Sequence, residues 1–104
     1  MIDLAHLFSS MPRVRILRTL YQAKEPLPLR QISYLASLPL FSVQRTLKQL
    51  CEEKIIGRKE KKPYVFFALD ENYPAYCFLA DMFHLEDKYR IADQAHRFHR
   101  KASA

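Results

Sequence analysis

The chain has 104 residues, 49% of them hydrophobic and only one of them glycine, so it is long enough for one core but not for two. No run approaches the ~18–20 apolar residues of a membrane span, and no repeats, low-complexity tracts or linkers interrupt what reads as a globular, helix-leaning domain. The formal net charge is +6 and uneven: residues 13–62 hold twelve Lys and Arg against four acids, whereas residues 63–104 are nearly balanced, which points to a polyanionic partner for the middle of the chain.

Asp3 before Leu4, Leu7 and Phe8 predicts a short opening helix with Asp3 as its cap. The same stretch lacks a basic n-region, so it is not read as a secretory signal, and a cytoplasmic location is expected. Ser10 and Pro12 mark a restart. A helix over 12–23 then carries Val14, Leu17, Leu20 and Tyr21 on its apolar face, with Ile16 flanking and Arg13, Arg15 and Arg18 away from it. Pro26 and Pro28 end that helix and hold 27–29 extended. A helix over 30–36 turns Ile32, Leu35 and Ala36 inward, and Pro39 stops it by forcing the residue before it out of helical geometry.

The following helix, over 41–53, buries Val43, Leu47 and Leu50 at i, i+4 and i+7 and leaves Ser42, Gln44, Arg45, Lys48 and Gln49 outside. Ile55 and Ile56, Gly57, the charged run 58–63 and the aromatic segment YVFFAL at 64–69 predict a β-hairpin with a basic tip. Asp70 and Glu71 suit a cap at the strand-to-helix turn. From Pro74 the pattern is helical again, with Tyr76, Leu79, Ala80 and Phe83 on one face. A continuation over 86–101 aligns Tyr89, Ala92, Ala95 and Phe98. Cys51 and Cys77 lack metal-type spacing and are expected to be buried thiols rather than a disulfide.

The order helix, helix-turn-helix, charged hairpin, helix resembles the winged helix-turn-helix family of bacterial and archaeal transcription regulators, and more narrowly its MarR/ArsR-like group. The stretches that carry the likeness are LFSSMPRVRILRTLY as the first core helix, LRQISYLASL as the positioning helix, and SVQRTLKQLCEEKII as the recognition helix leading into the wing. They span about residues 7–70, and the pattern of Val43, Arg45, Leu47, Lys48 and Leu50 is the most specific part. The resemblance implies an α+β fold, mainly α with a small β-hairpin. Residues 1–73 would form the winged helix-turn-helix domain and 74–104 an additional C-terminal helical segment. The sequence departs from the family where members usually carry a small residue and then Ser/Thr–Pro, here Ser37, Pro39 and Leu40. It departs again where a glycine usually precedes the wing, here Lys54, and at a wing tip without glycine. The cysteines with which ArsR-type members often sense metals from the positioning helix are absent.

The implied partner is double-stranded DNA. Arg45 can read guanine O6/N7 in a bidentate way or clamp a phosphate, Gln44 can read adenine, and Ser42 can touch backbone or base, with Lys48 and Gln49 on the same face. Arg58, Lys59, Lys61 and Lys62 need only charge and reach to neutralise phosphates. Arg30 and Gln31, opening the positioning helix, can donate to a flanking phosphate. Tyr76, Leu79, Phe83, Tyr89, Ala92 and Phe98 exceed what a core of this size needs. Winged-helix regulators commonly pair through terminal helices, so a homodimer through that stripe is expected, presenting two recognition helices to successive major grooves.

Tyr64, Phe66 and Phe67 are read as core rather than as a stacking platform for single strands. His96 and His99 share a helix face but lack a third ligand, so neither a metal nor any other cofactor is expected. Nothing resembles a nucleophile with its base, a phosphate-binding glycine loop or a paired-carboxylate site, so no enzyme activity is expected. No effector ligand can be named from the sequence. Two other functions suit the same pattern: a winged-helix protein–protein interaction module, and an architectural or RNA-binding protein that uses its basic face without sequence choice.

Overall fold

The computed structural model describes the backbone of residues 4–103 and the side chains of residues 6–90. In chain order the elements are α1 (Leu4–Leu7), α2 (Met11–Ala23), β1 (Leu27–Pro28), α3 (Leu29–Ala36), α4 (Leu40–Glu52), β2 (Ile56–Lys61), β3 (Tyr64–Leu69) and α5 (Tyr76–Ser103). Asp3, the expected cap of α1, lies outside the described residues. Ser10 caps α2, its Oγ accepting the Arg13 backbone N–H at 3.4 Å, and Pro12 occupies the first turn, where no intrahelical donor is required.

The three strands form one antiparallel sheet in the order β1-β3-β2. Leu27 pairs with Phe67 and Pro28 with Phe66. The β2–β3 hairpin runs from Ile56 opposite Leu69 to Lys61 opposite Tyr64 and turns through Lys62 and Pro63, which a cis peptide joins. At the other end of β3, Asp70 accepts the Asn72 N–H at 2.8 Å and so shapes the turn toward α5.

One cluster of buried side chains holds the elements together: Leu7, Ile16, Leu17, Leu20, Leu27, Ile32, Val43, Leu47, Leu50, Ile55, Ile56, Leu79 and Phe83. Two expectations change here. Leu35 is 49% exposed, because the inward face of α3 is Leu29, Ile32 and Ala36, and Leu35 lies one helical step of about 100° away from it. Arg13, expected on the outside of α2, is only 3% exposed. Its guanidinium donates to both carboxylate oxygens of Glu53 at 2.9 and 3.1 Å and to the Leu7 carbonyl at 3.2 Å. His6 meets the same carboxylate at 2.8 Å. One charged cluster thus ties α1 and the start of α2 to the C-terminal end of α4.

The C-terminal helix requires a larger correction. Leu79 and Phe83, expected on a partner-facing stripe, are 1% and 2% exposed within the protein's own core, and the Phe83 ring lies 5.7 Å from that of Tyr21. Tyr76 is half-buried. The next turn is fixed to α2 by Arg18, which donates to Glu86 at 2.6 and 2.9 Å, and by Gln22, which donates to Asp87 at 3.1 Å. Among the described residues, the large apolar side chains that α5 leaves exposed are Phe78, Leu85 and Tyr89, with half-buried Met82 between them. These positions step by four and three residues along one face. Tyr89, at 69% exposure, remains available, whereas the side chains of Ala92 and Phe98 lie outside the described residues.

Both helices of the helix-turn-helix end in the same backbone device. Ser37, at φ 55°, donates its N–H to the Tyr34 carbonyl at 3.3 Å, and Leu38 donates to Ser33 at 3.1 Å. Lys54, at φ 61°, donates to Cys51 at 3.0 Å, and Ile55 donates to Leu50 at 3.0 Å. These are Schellman ends, in which a left-handed residue favours glycine. Lys54 therefore holds a conformation suited to glycine and bears the strain of a Cβ there. Lys54→Gly is expected to raise the unfolding free energy by roughly 0.5–1 kcal/mol, after the entropy glycine adds to the unfolded chain. Urea denaturation with an unchanged slope checks this.

Candidate nucleic-acid interface

Viewed down its axis, α4 has an inner face of Val43, Thr46, Leu47 and Leu50, all buried. At about 100° per residue the opposite face centres on Phe41, Lys48 and Glu52. Arg45 lies to one side of that line and Gln44 to the other, with Gln49 beyond Arg45; all are exposed. Ser42 lies furthest round, half-buried at the flank. Ser42, expected on this face, thus lies at its edge, and Phe41, 72% exposed, lies at its centre.

The helix stands as a ridge between two clefts. One, about 340 Å³, is lined by Phe41, Ser42, Arg45 and Gln49 together with His6, Ser9 and Ser10 from the start of the chain. The other, about 470 Å³, is lined by Gln44, Lys48 and Glu52 together with Arg58, Val65 and Phe67 of the hairpin. Cys51, half-buried, also lines this cleft, and burial pushes its thiol above the usual cysteine range despite the nearby Arg58. Cys77, on α5, is exposed rather than buried as expected.

The ridge is held in place locally. The Ser33 hydroxyl donates to the Leu38 carbonyl at 2.5 Å, and Arg15 donates to the Ser37 carbonyl at 3.5 Å, pinning the connector between α3 and α4. Pro39 stands at the N-cap of α4 with no side-chain cap, and its carbonyl accepts from Val43 at 3.1 Å. At the other end of α4, Arg13 donates to Glu53 and holds its carboxyl below the usual glutamate range. Burial, helped by the Glu53 charge, pushes the neighbouring Tyr73 phenol up.

Strand alternation divides the wing cations between two faces. Arg58 shares a face with Glu60, to which it donates at 3.0 Å, and with Val65 and Phe67, the side that meets α4. Lys59 and Lys61 point the other way, with Phe66 and Tyr64, and Lys62 stands at the tip. Phe67 packs against the core as expected, but Tyr64 is 63% exposed and Phe66 half-exposed, so the core reading holds for one of these three aromatics. Among the described residues, Arg30, Arg45, Lys48, Lys59, Lys61 and Lys62 engage in no ion pair. Arg30 and Gln31 are exposed at the start of α3, in line with Tyr34, whose ring is 82% exposed. Among the described residues no cluster of His, Cys, Asp and Glu could hold a metal ion, and no helix is long and apolar enough to cross a membrane.

A helix-turn-helix whose second helix projects beside a β-hairpin, over a β1-β3-β2 sheet, is a winged helix-turn-helix fold, here with a C-terminal helix added. No protein-family model matches the chain, and no curated protein matches it. Solved structures do. HlyU from Vibrio cholerae superposes with a TM-score of 0.64 at 17% identity, covering 83% of each chain. A MarR family transcriptional regulator from Silicibacter pomeroyi superposes with a TM-score of 0.59 at 21% identity, over 97% of this chain and 76% of the other. Human N-acetylserotonin methyltransferase matches with a TM-score of 0.56 at 12% identity, over 65% of this chain but only 20% of the enzyme. At such identities the likeness is one of fold, and a fold hosts more than one activity.

Proposed function

We propose that this chain is a cytoplasmic, sequence-specific double-stranded DNA-binding protein that regulates transcription as a homodimer. One observation carries the reading: an exposed helix face bearing Gln44, Arg45, Lys48 and Gln49 borders a cleft shared with Arg58 of the wing, and among the described residues Arg45 and Lys48 engage in no ion pair. A ridge of helix diameter with cations on both flanks suits a major groove about 12 Å wide between two phosphate backbones. Arg45 and Gln44 would read base edges, and Lys48, Arg58, Lys62 and Arg30 would neutralise phosphates. Residues 1–73 would bind the duplex and the segment 74–104 would pair two copies through Phe78, Leu85 and Tyr89. Occupying a promoter would then block or recruit polymerase. The structural likeness to a MarR family transcriptional regulator supports this reading.

The two kinds of contact are separable by mutation. Arg45→Ala is expected to cost roughly 1–3 kcal/mol on the preferred duplex and to relax sequence preference. Lys62→Ala is expected to weaken all duplexes alike and to reduce the salt slope by about 0.9. Fluorescence anisotropy on matched and scrambled duplexes at two salt concentrations measures both, and equal, sequence-blind losses in the two variants would reject base reading by Arg45.

A further inference from the structure

We infer that Phe41 is a specificity-determining residue that reads thymine 5-methyl groups in the major groove, an inference that rests on the DNA-binding function proposed above. The ring is 72% exposed, although it is a large apolar side chain on a domain with ample core. It lies at the middle of the outward face of α4, one and two turns before Arg45 and Lys48, and it is the second residue of that helix. The N-terminal residues of a recognition helix are those that reach base edges in helix-turn-helix docking. A helix that places Arg45 at the base edges therefore carries Phe41, one turn before it on the same outward face, into the groove beside it.

The chemistry of the floor then selects the base. Guanine and adenine present donors and acceptors on their major-groove edges and cytosine an amino group beside a bare C5–H, so a phenyl ring placed against them would desolvate polar groups without replacing their water. Thymine alone presents a methyl group, which the ring can cover with a gain of buried apolar surface. Pro39 and Leu40 occupy the positions before Phe41. The start of this helix, with Pro39 as an N-cap that makes no side-chain hydrogen bond, thus offers an apolar surface. The expected consequence is a site with one or two required thymines opposite the helix start.

Deoxyuridine differs from thymidine by that methyl alone. On a duplex selected by the wild-type protein, replacing each thymine in turn by uracil is expected to weaken binding about fourfold at the contacted position and to do nothing elsewhere. Phe41→Ser, which removes an exposed ring and should leave circular dichroism and Tm unchanged, is expected to bind more weakly and to be indifferent to uracil at that position. Methyl indifference in a wild-type protein that still selects a duplex would overturn this inference alone, as would equal uracil sensitivity in Phe41→Ser. Absence of duplex binding by the wild type would instead remove the DNA-binding reading and this inference with it.

Discussion

Arg13→Met is expected to lower the unfolding free energy by about 3 kcal/mol, the lower end of what breaking a buried ion pair costs. The substitution fills much the same volume, so the loss is electrostatic. Glu53 loses its bidentate partner and the Leu7 carbonyl loses a donor. The cost stays at the lower end because Glu53 keeps His6 and its side chain is 31% exposed. Adding Glu53→Gln to Arg13→Met should recover part of the loss, since the uncompensated charge is then gone. The same pair sets an acid limit. Because Arg13 lowers the Glu53 pKa in the folded state, its stabilising effect is complete above the ordinary glutamate value. It is lost as pH falls through that value and then through the lower folded-state one. Urea titrations of the wild type and Arg13→Met at neutral and acid pH should therefore converge at low pH.

Phe83→Ala is expected to cost roughly 3–5 kcal/mol in unfolding free energy, independent of protein concentration. This follows from its place against Tyr21 beneath α2, where truncation leaves a cavity the helices cannot close. Leu85→Lys, on the exposed face two residues later, should leave the unfolding of the isolated domain almost unchanged. Its effect would fall on self-association, reducing the mass seen by light scattering at the concentrations where the wild type pairs. If Phe83→Ala instead unfolded with little loss of stability, α5 would not be anchored in the core as described.

That contrast shows what apolar periodicity conveys and what it does not. In α4 the spacing of Val43, Leu47 and Leu50 was sufficient, because one apolar stripe faces a core and the rest is polar. In α5 two apolar faces lie about 100° apart, one ending in Leu79 and Phe83 and the other running through Phe78, Leu85 and Tyr89. Read as a single stripe they merge, and only the packing against α2 separates them. Arg13 was illegible for a different reason: its acid partner lies forty residues away, and no local pattern marks an arginine as buried. Phe41 was legible in principle. Projecting α4 about the axis defined by its buried residues places Phe41 at the centre of the outward face and Ser42 at its flank. The left-handed Lys54 was visible as a departure from the family pattern. Its consequence, strain rather than a changed turn, required the backbone angles.

The most direct test of the central claim is selection of duplexes from a random pool by the wild-type protein, at low and at near-physiological salt, followed by anisotropy on the enriched sequences. The account predicts a palindromic site, its half-sites about one helical turn apart, that remains bound at the higher salt. Binding that disappears with salt and enriches no sequence would contradict it, leaving the basic face as a generic polyanion surface.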